Sequence, residues 1–168
     1  MFPRSIVTKA RTSAFYRWLL NLGLFRMIPF NKPHGFRVHA LSEYGVTAVM
    51  PYRRRNMNHI RGLHACGLAT LTEFTSGLAL ILQLDSSQYR IILKRLEMDY
   101  LYQGKMDAYA SFEVTPEWLE SNVKQPLSSS DAVVIPCKVE IKDAAGNHLT
   151  IGIVHWQVKP WSKVKTKA

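Results

Sequence analysis

The sequence predicts an α+β fold in which a strongly curved antiparallel sheet of about six strands encloses one long central helix. One observation is a segment of 21 residues, 64–84, that is apolar in a helical pattern and contains a single formally charged side chain, Glu73. Another is a series of alternating strand patterns, two before this segment and four after it. Runs of antiparallel strands with one long helix are typical of the α+β class. At 168 residues the chain is most simply a single domain, residues 1–168.

The first element is a helical extension, residues 1–30. Residues 1–11 are polar and basic, and we expect them to be loosely ordered. From Thr12 to Ile28 the apolar residues form a helical stripe that ends before a proline. The polar Asn21 and the lack of a small-residue cleavage site argue against a signal peptide. Packing on the domain itself or on a second copy is favoured, while the Arg, Trp and Phe side chains leave a peripheral membrane contact open.

Six strand patterns follow the extension. Residues 36–40 and 46–52 alternate and predict a hairpin, in which Pro51 marks a strand end or an edge. After the helix the alternation recurs at 89–98, 106–114, 133–141 and 149–158, and a turn at 143–148 joins the last two. A helical turn and a serine-rich loop are predicted at 117–130, and the basic tail, 160–168, is expected to be frayed.

The central helix is apolar on nearly every side. On one face, residues recur at steps of three and four: Leu68, Leu71, Thr75, Leu78 and Leu82. The opposite face is not a solvated face either. Such a helix is normally buried. The segment is long enough to span a bilayer, but its threonines, serine and glutamate favour a buried core helix. A sheet curved around this helix would cover it on all sides, which is the hotdog architecture.

Glu73 is the first candidate functional residue. A carboxylate in apolar surroundings is costly unless it is hydrogen-bonded, paired, or protonated with a raised pKa. If it is bonded to a backbone group or to a threonine, its role is structural. If it must reach a reactive carbonyl, its role is catalytic. The residues alone leave both interpretations open.

The charge of the chain narrows the class of partner, and its cysteines indicate the compartment. The formal net charge of +10 and the pI near 9.8 favour anionic partners, which include nucleic acid, acidic lipid headgroups, phosphorylated cofactors and acidic carrier proteins. Cys66 and Cys137 lie far apart in apolar surroundings without a CxxC or metal-ligand spacing. We therefore predict two buried thiols in a reducing compartment, the cytoplasm.

A family resemblance is carried by residues 58–73, NHIRGLHACGLATLTE. This segment resembles the hotdog acyl-CoA thioesterases of the phenylacetate-pathway type. Their pattern is an Asn, a glycine-rich turn, a His at the helix start and an acid nine positions later, matched here by Asn58, Gly62, His64 and Glu73. Most of the remaining chain is similar to an uncharacterised hotdog group. The shared features are Pro51, the Asp143–Gly146 turn and the closing Trp156, Val158 and Lys159.

The resemblance implies hydrolysis of acyl-CoA or acyl carrier protein thioesters. Glu73 would be the general base or the nucleophile, and Asn58 and His64 would position the water or the thioester. Backbone N–H groups near Ala65 and Cys66 would hold the oxyanion at the helix N-terminus. In the family, the acid and the Asn/His turn face each other across a subunit interface, which implies a homodimer or a dimer of dimers.

The chain departs from the family pattern at two places. Arg61 stands three positions after Asn58, where the thioesterases have a glycine, and Ala65 and Cys66 replace a glycine pair. Their Cβ atoms would crowd an approaching acyl group, and Arg61 would either narrow the entry or bind a phosphate. The alternative function is therefore a non-catalytic hotdog protein that binds acyl-CoA or a fatty-acyl ligand.

Coenzyme A would enter as part of the substrate, and no other cofactor and no metal is predicted. Its phosphates require a basic surface, which would equally suit an acidic acyl carrier protein. The candidates for this surface are Arg53, Arg54, Arg55 and Arg61. The candidates for an acyl pocket, each of which would also suit a hydrophobic core, are Phe74, Leu78, Tyr109 and Phe112.

Other classes of protein are less well supported. The sequence has no GxSxG nucleophile elbow, no GxGxxG and no P-loop pattern. Its basic residues are scattered over tails and loops without the motifs or aromatic platforms of nucleic-acid-binding modules, which argues against a nucleic-acid partner.

Overall fold

The computed structural model describes residues 3–165, in which a curved six-stranded antiparallel sheet surrounds one long helix. The helices are α1 (Arg4–Thr12), α2 (Ala14–Met27), α3 (Asn31–His34), α4 (Ala65–Gln83), α5 (Pro116–Leu119) and α6 (Gln125–Ser128). The strands are β1 (Arg37–Leu41), β2 (Gly45–Met50), β3 (Tyr89–Tyr100), β4 (Ala108–Glu113), β5 (Val133–Asp143) and β6 (His148–Pro160). Their order across the sheet is β1-β2-β4-β5-β6-β3. The predicted α+β hotdog fold is confirmed.

Helix α4 forms the centre of the core. It packs against β2, β3, β4, β5 and β6, and Leu68, Leu71 and Leu80 on it are buried. Gly77 allows a close approach to the sheet, because a Cβ at this position would lie 2.7 Å from Cζ2 of Trp156 on β6. The indole N–H of Trp156 donates to the Ser76 hydroxyl at 3.0 Å. The sheet therefore holds the helix through both packing and a buried hydrogen bond.

The polar residues buried in α4 are satisfied within the helix. Thr72, Thr75 and Ser76 donate their hydroxyls to backbone carbonyls four residues earlier, at 3.1, 2.7 and 3.0 Å. Such bonds let hydroxyl groups enter an apolar core without unpaired donors. By length and composition α4 would also suit a membrane span, but the sheet encloses it and most of it is buried. It is therefore a core helix, as predicted.

The two edges of the sheet differ. At the β1 edge, the buried side chain of Asn21 on α2 donates to the Val38 carbonyl at 3.0 Å and accepts from the Val38 N–H at 2.8 Å. The amide thus pairs with β1 as a neighbouring strand would. At the other edge, the 12-residue β3 pairs only with β6 among the strands of the described chain, and Ile92 and Leu93 on it are exposed. One edge is covered and the other is open.

The N-terminal extension contains two helices where the sequence predicted one. Residues 4–11 belong to α1, so the expected loose order is wrong, and the buried Ala10 anchors this helix in the core. Ser13 separates the helices. Its extended backbone ends α1, and its hydroxyl accepts from the Tyr16 N–H at 3.5 Å at the start of α2. Serine is a preferred N-cap, which explains the break inside an otherwise continuous apolar pattern.

Three further local predictions need correction. Residues 116–128 form one helical run through a π-helical turn, so the serine-rich loop is short. The tail is ordered where the structure describes it, because the Trp161 indole donates to the Ser86 carbonyl at 2.9 Å. Residues 166–168 lie outside the described residues. Cys66 is exposed, in contrast to the predicted buried thiol, whereas Cys137 is buried, which raises its pKa to about 12.

The hydrogen bonds of Asn21 give a prediction for stability. Asn21→Ala leaves the N–H and C=O of the buried Val38 unpaired, so we expect the free energy of unfolding to fall by about 1–3 kcal/mol. Urea denaturation measures this change. Leu22→Ala on the exposed side of α2 is the matched control and should change stability by less than about 0.5 kcal/mol. Equal effects of both substitutions would contradict the proposed role of Asn21.

Candidate active site

The predicted turn before α4 is built around Asn58. Its backbone N–H donates to the Gly62 carbonyl at 2.8 Å, and its side-chain Oδ1 accepts from the N–H groups of Ile60 and Gly62 at 3.1 and 2.9 Å. The amide oxygen is therefore occupied by the turn itself. Asn58 shapes the loop, and only its Nδ2 remains to contact a substrate.

Arg61 occupies a backbone conformation that favours glycine. Its φ is 60°, and it is the only residue with a positive φ other than glycine among the residues that the structure describes. The Tyr52 hydroxyl donates to its carbonyl at 2.7 Å and fixes the turn from outside. The left-handed backbone explains the glycine of the thioesterase pattern at this place. This chain forms its turn with an exposed arginine at that position.

His64 caps α4. Its Nδ1 accepts from the Cys66 N–H at 3.2 Å, so in the neutral ring the proton lies on Nε2, which can act as a donor. Of the two N–H groups predicted to hold an oxyanion, that of Cys66 is thus already engaged. The Ala65 N–H has no hydrogen-bond partner within residues 3–165, and its carbonyl accepts from the Tyr100 hydroxyl at 3.1 Å.

A cleft of about 240 Å³ opens beside this helix start. The lining residues are Phe30, His34, Phe36, Met50, Arg55, Asn56, His64, Cys66, Gly67 and Thr70. His34 Nδ1 lies 3.1 Å from Asn56 Oδ1, and Asn56 Nδ2 donates to the carbonyls of His34 and Pro51, both at 2.8 Å. An amide oxygen only accepts, so His34 donates from Nδ1 and keeps a free lone pair on Nε2.

His34, Asn56 and Thr70 are residues of the cleft that the sequence analysis missed. His34 belongs to α3, and Asn56 ends a short 3₁₀ turn at Arg54–Asn56. No spacing rule connects two loop segments 22 positions apart. Only the fold brings them together next to the start of α4.

Glu73 lies on α4 outside this cleft but on the same face, since Cys66, Thr70 and Glu73 follow at steps of four and three. Its side chain is half-buried, and burial raises its pKa. In the part of the chain that the structure describes, no group hydrogen-bonds or ion-pairs with its carboxylate. The neighbouring Thr70 hydroxyl donates instead to the Cys66 carbonyl at 2.9 Å. The purely structural interpretation, a carboxylate held by a threonine or by backbone, finds no such partner within residues 3–165.

The chain's own turn is remote from this carboxylate. His64 and Glu73 are nine positions apart on one helix, which corresponds to about 14 Å along its axis. A thioester carbonyl next to the helix start is therefore out of reach of Glu73 from the same chain.

The predicted phosphate-binding arginines are accessible. Arg53, Arg54, Arg55 and Arg61 are exposed, and within the described ranges none of their side chains forms an ion pair or a hydrogen bond. Arg55 lines the cleft, while the guanidinium of Arg53 covers the left-handed Gly35 at the end of α3. The result is a basic rim next to the cleft.

The predicted acyl-pocket residues do not share one space. Phe74 and Leu78 are buried in the core, and the Phe112 ring lies 5.9 Å from the Trp118 ring. Tyr109 points to the opposite face of β4, where its ring lies 5.1 Å from that of His39. Side chains alternate across a strand, so Tyr109 and Phe112 cannot line the same pocket. None of the four residues lines the cleft.

The geometry defines a class of protein: a hotdog domain with a polar turn and cleft at the start of the enclosed helix and a lone acid further along it. The chain belongs to the family described as Domain of unknown function (DUF4442), whose model matches residues 16–158. No curated protein matches the sequence.

Solved structures of thioesterases share the fold. A protein from Pseudomonas aeruginosa, described as of unknown function and a probable thioesterase, has 20% identity, covers 95% of this chain and 97% of its own, and gives a TM-score of 0.75. A second P. aeruginosa thioesterase, a mutant, has 18% identity, coverages of 83% and 91%, and a TM-score of 0.64. A thioesterase from Haemophilus influenzae has 16% identity, coverages of 84% and 88%, and a TM-score of 0.64. The chain is similar to thioesterases in fold.

The raised pKa of Glu73 predicts a pH-dependent stability. Burial makes the ionised carboxylate less favourable in the folded chain than in the unfolded chain. Its ionisation therefore lowers the free energy of unfolding as the pH rises above about 4.3, the pKa of a glutamate in an unfolded chain. Glu73→Gln should therefore raise the free energy of unfolding at pH 7, and this gain should shrink below about pH 4. Denaturation at several pH values tests it, with the exposed Glu113→Gln as control. A gain that does not vary with pH would contradict the burial effect.

Proposed function

We propose that the protein hydrolyses acyl thioesters of coenzyme A or of an acyl carrier protein, with Glu73 as the general base or nucleophile. The observation that carries this proposal is the carboxylate of Glu73, which is half-buried, has a raised pKa and has no partner in the described chain. A carboxylate that lowers stability and forms no hydrogen bond or ion pair is a candidate for a catalytic role. The fold shared with structures described as thioesterases supports the same reaction class.

The proposed active unit is a homodimer, alone or paired into a dimer of dimers. The separation of about 14 Å between His64 and Glu73 means that one chain cannot present both to one carbonyl. The open edge of β3, with exposed Ile92 and Leu93, offers a surface for pairing with a second copy. In such a dimer Glu73 of one subunit would face the turn before α4 of the other.

The groups around the cleft have matching roles in this proposal. The Nε2–H of His64 and the N–H of Ala65 would donate to the thioester carbonyl, where the helix dipole favours the developing negative charge. Glu73 would take a proton from water as the water oxygen bonds to the carbonyl carbon. The C–S bond then breaks, and the thiolate receives that proton. The products are a carboxylic acid and a free thiol.

The carrier would bind through the basic rim. Arg55 at the cleft and the unpaired Arg53, Arg54 and Arg61 suit the phosphates of coenzyme A, and they would equally suit an acidic carrier protein. No cofactor besides coenzyme A is part of the proposal. A cytoplasmic location stays a prediction.

Contact with a membrane also stays a prediction. Phe15 and Trp18 on α2 are 61% and 54% exposed and their rings stack, and residues 1–35 contain six basic and no acidic side chains. Such a surface suits anionic headgroups. Sedimentation with anionic vesicles, compared with neutral ones, would test this contact.

A second function is favoured by one observation. The N–H of Cys66 is held by His64, so the oxyanion site has one free backbone donor, from Ala65, where two were predicted. Loss of one such donor typically costs a factor of about 100–1000 in rate. A non-catalytic protein that binds acyl-CoA is consistent with this geometry.

Activity measurements separate the two functions. Wild type should release free thiol from at least one member of a panel of acyl-CoAs, and Glu73→Gln should lower kcat by about 100-fold or more, because the water then lacks a base. Glu113→Gln, an exposed glutamate on β4, is the control and should keep full activity. A wild-type protein that binds acyl-CoA but hydrolyses no member of the panel would favour the non-catalytic function.

The open edge gives a prediction for assembly. Ile92→Asp combined with Leu93→Asp places charges on β3 and should shift the protein towards the mass of one chain, 19.2 kDa, in size-exclusion chromatography with light scattering. Ile153→Asp on β6, away from the edge, should leave the assembly unchanged. A dimer that survives the double substitution would place the interface elsewhere.

A further inference from the structure

A second cavity lies at the other end of α4 from the cleft. Its volume is about 430 Å³, and it is enclosed by α1, α2, the turn between β1 and β2, and the last residues of α4. It shares no lining residue with the cleft. Its volume falls within the range of small-molecule sites, about 300–1000 Å³.

The walls of this cavity are largely apolar. The side chains that line it come from four elements: Val7, Leu24, Leu41, Leu78, Ile81 and Leu82. Leu78, predicted from the sequence as an acyl-pocket residue, therefore faces this cavity and not the cleft. The surface suits a hydrocarbon chain.

Two arginines supply the positive charge of the cavity, Arg4 and Arg11 of α1. The Arg11 side chain donates from one terminal nitrogen to the Glu43 carbonyl at 3.3 Å, while its Nε–H is buried and has no acceptor. The buried Nε–H is out of reach of a ligand in the cavity, but the second terminal nitrogen of Arg11 and the Arg4 guanidinium have no hydrogen-bond partner within residues 3–165. These two groups can donate to a bound anion.

The acids near the cavity restrict the kind of anion. The Asp85 carboxylate accepts from the Ser87 N–H, the Ser87 hydroxyl and the Gln88 amide, which lower its pKa, and it is occupied by these bonds. The charge of Glu43 raises the pKa of the Tyr44 phenol, so this carboxylate lies near that ring. Both negative charges oppose a doubly charged phosphate more strongly than a single carboxylate.

We propose that this cavity binds an amphipathic monocarboxylate of the fatty-acid type. Its carboxylate accepts from the second terminal nitrogen of Arg11 and from the Arg4 guanidinium, and its tail lies along the apolar residues of α1, α2 and α4. The site uses no residue of the cleft and not Glu73, so it stands without the proposed hydrolysis. If hydrolysis also holds, the ligand belongs to the class of its product.

Calorimetric titration with dodecanoate at pH 7 tests the site. Wild type should bind dodecanoate, and Arg11→Met, which keeps the aliphatic stem, should weaken binding about tenfold or more. Dodecanol, which has the same tail without the charge, should bind wild type and Arg11→Met equally. Arg26→Met on the exposed end of α2, outside the cavity, is the matched control and should bind dodecanoate as wild type does.

Two further variants keep the result decisive. Val7→Trp places a large side chain in the cavity from the partly exposed α1 and should abolish binding. This variant tests the site independently if Arg11→Met does not fold. Glu73→Gln should bind dodecanoate normally, which separates this site from the proposed active site. Absence of binding to wild type, or equal binding by wild type and Val7→Trp, would overturn the proposal.

Discussion

The structure depends on the enclosure of α4. This helix is apolar on almost every side, so it is stable only where a sheet curves around it, as β2, β3, β4, β5 and β6 do. Its buried hydroxyl groups bond to its own carbonyls or, at Ser76, also accept from the Trp156 indole. Glu73 is the exception. The polar side chains that are buried in the helix all have partners, whereas the half-buried carboxylate of Glu73 has none in the described chain.

The contrast between the two ends of α4 organises the rest of the molecule. At the helix start lies a turn that is held by hydrogen bonds to the Asn58 side chain and by the left-handed backbone of Arg61. Beside it lies a cleft in which a hydrogen bond to Asn56 orients the His34 ring. The helix end meets the N-terminal extension across a larger cavity, which shares no lining residue with the cleft. The proposed hydrolysis uses the first end, and the proposed carboxylate site uses the second.

Periodicity predicted the elements well because burial imposes it. The long apolar run of α4 and the alternation of β5 translate directly into faces, and both elements are confirmed. The same alternation separates Tyr109 from Phe112, so grouping them in one pocket was wrong. Contacts between distant loops, such as His34 with Asn56, have no period and could not be predicted. Nor could the capture of the Cys66 N–H by His64, which depends on one ring orientation.

The amide of Asn21 decides how far the sheet can grow. A sheet with unpaired strands at both ends could accept a new chain on either side, and repeated addition would produce a filament. Because Asn21 occupies the hydrogen-bonding groups of Val38, growth from β1 is blocked at that residue. A sheet with one unpaired edge can pair with only one other such sheet, and no unpaired edge then remains. In the proposed pairing through β3, one side chain on α2 would therefore keep assembly through the sheet finite.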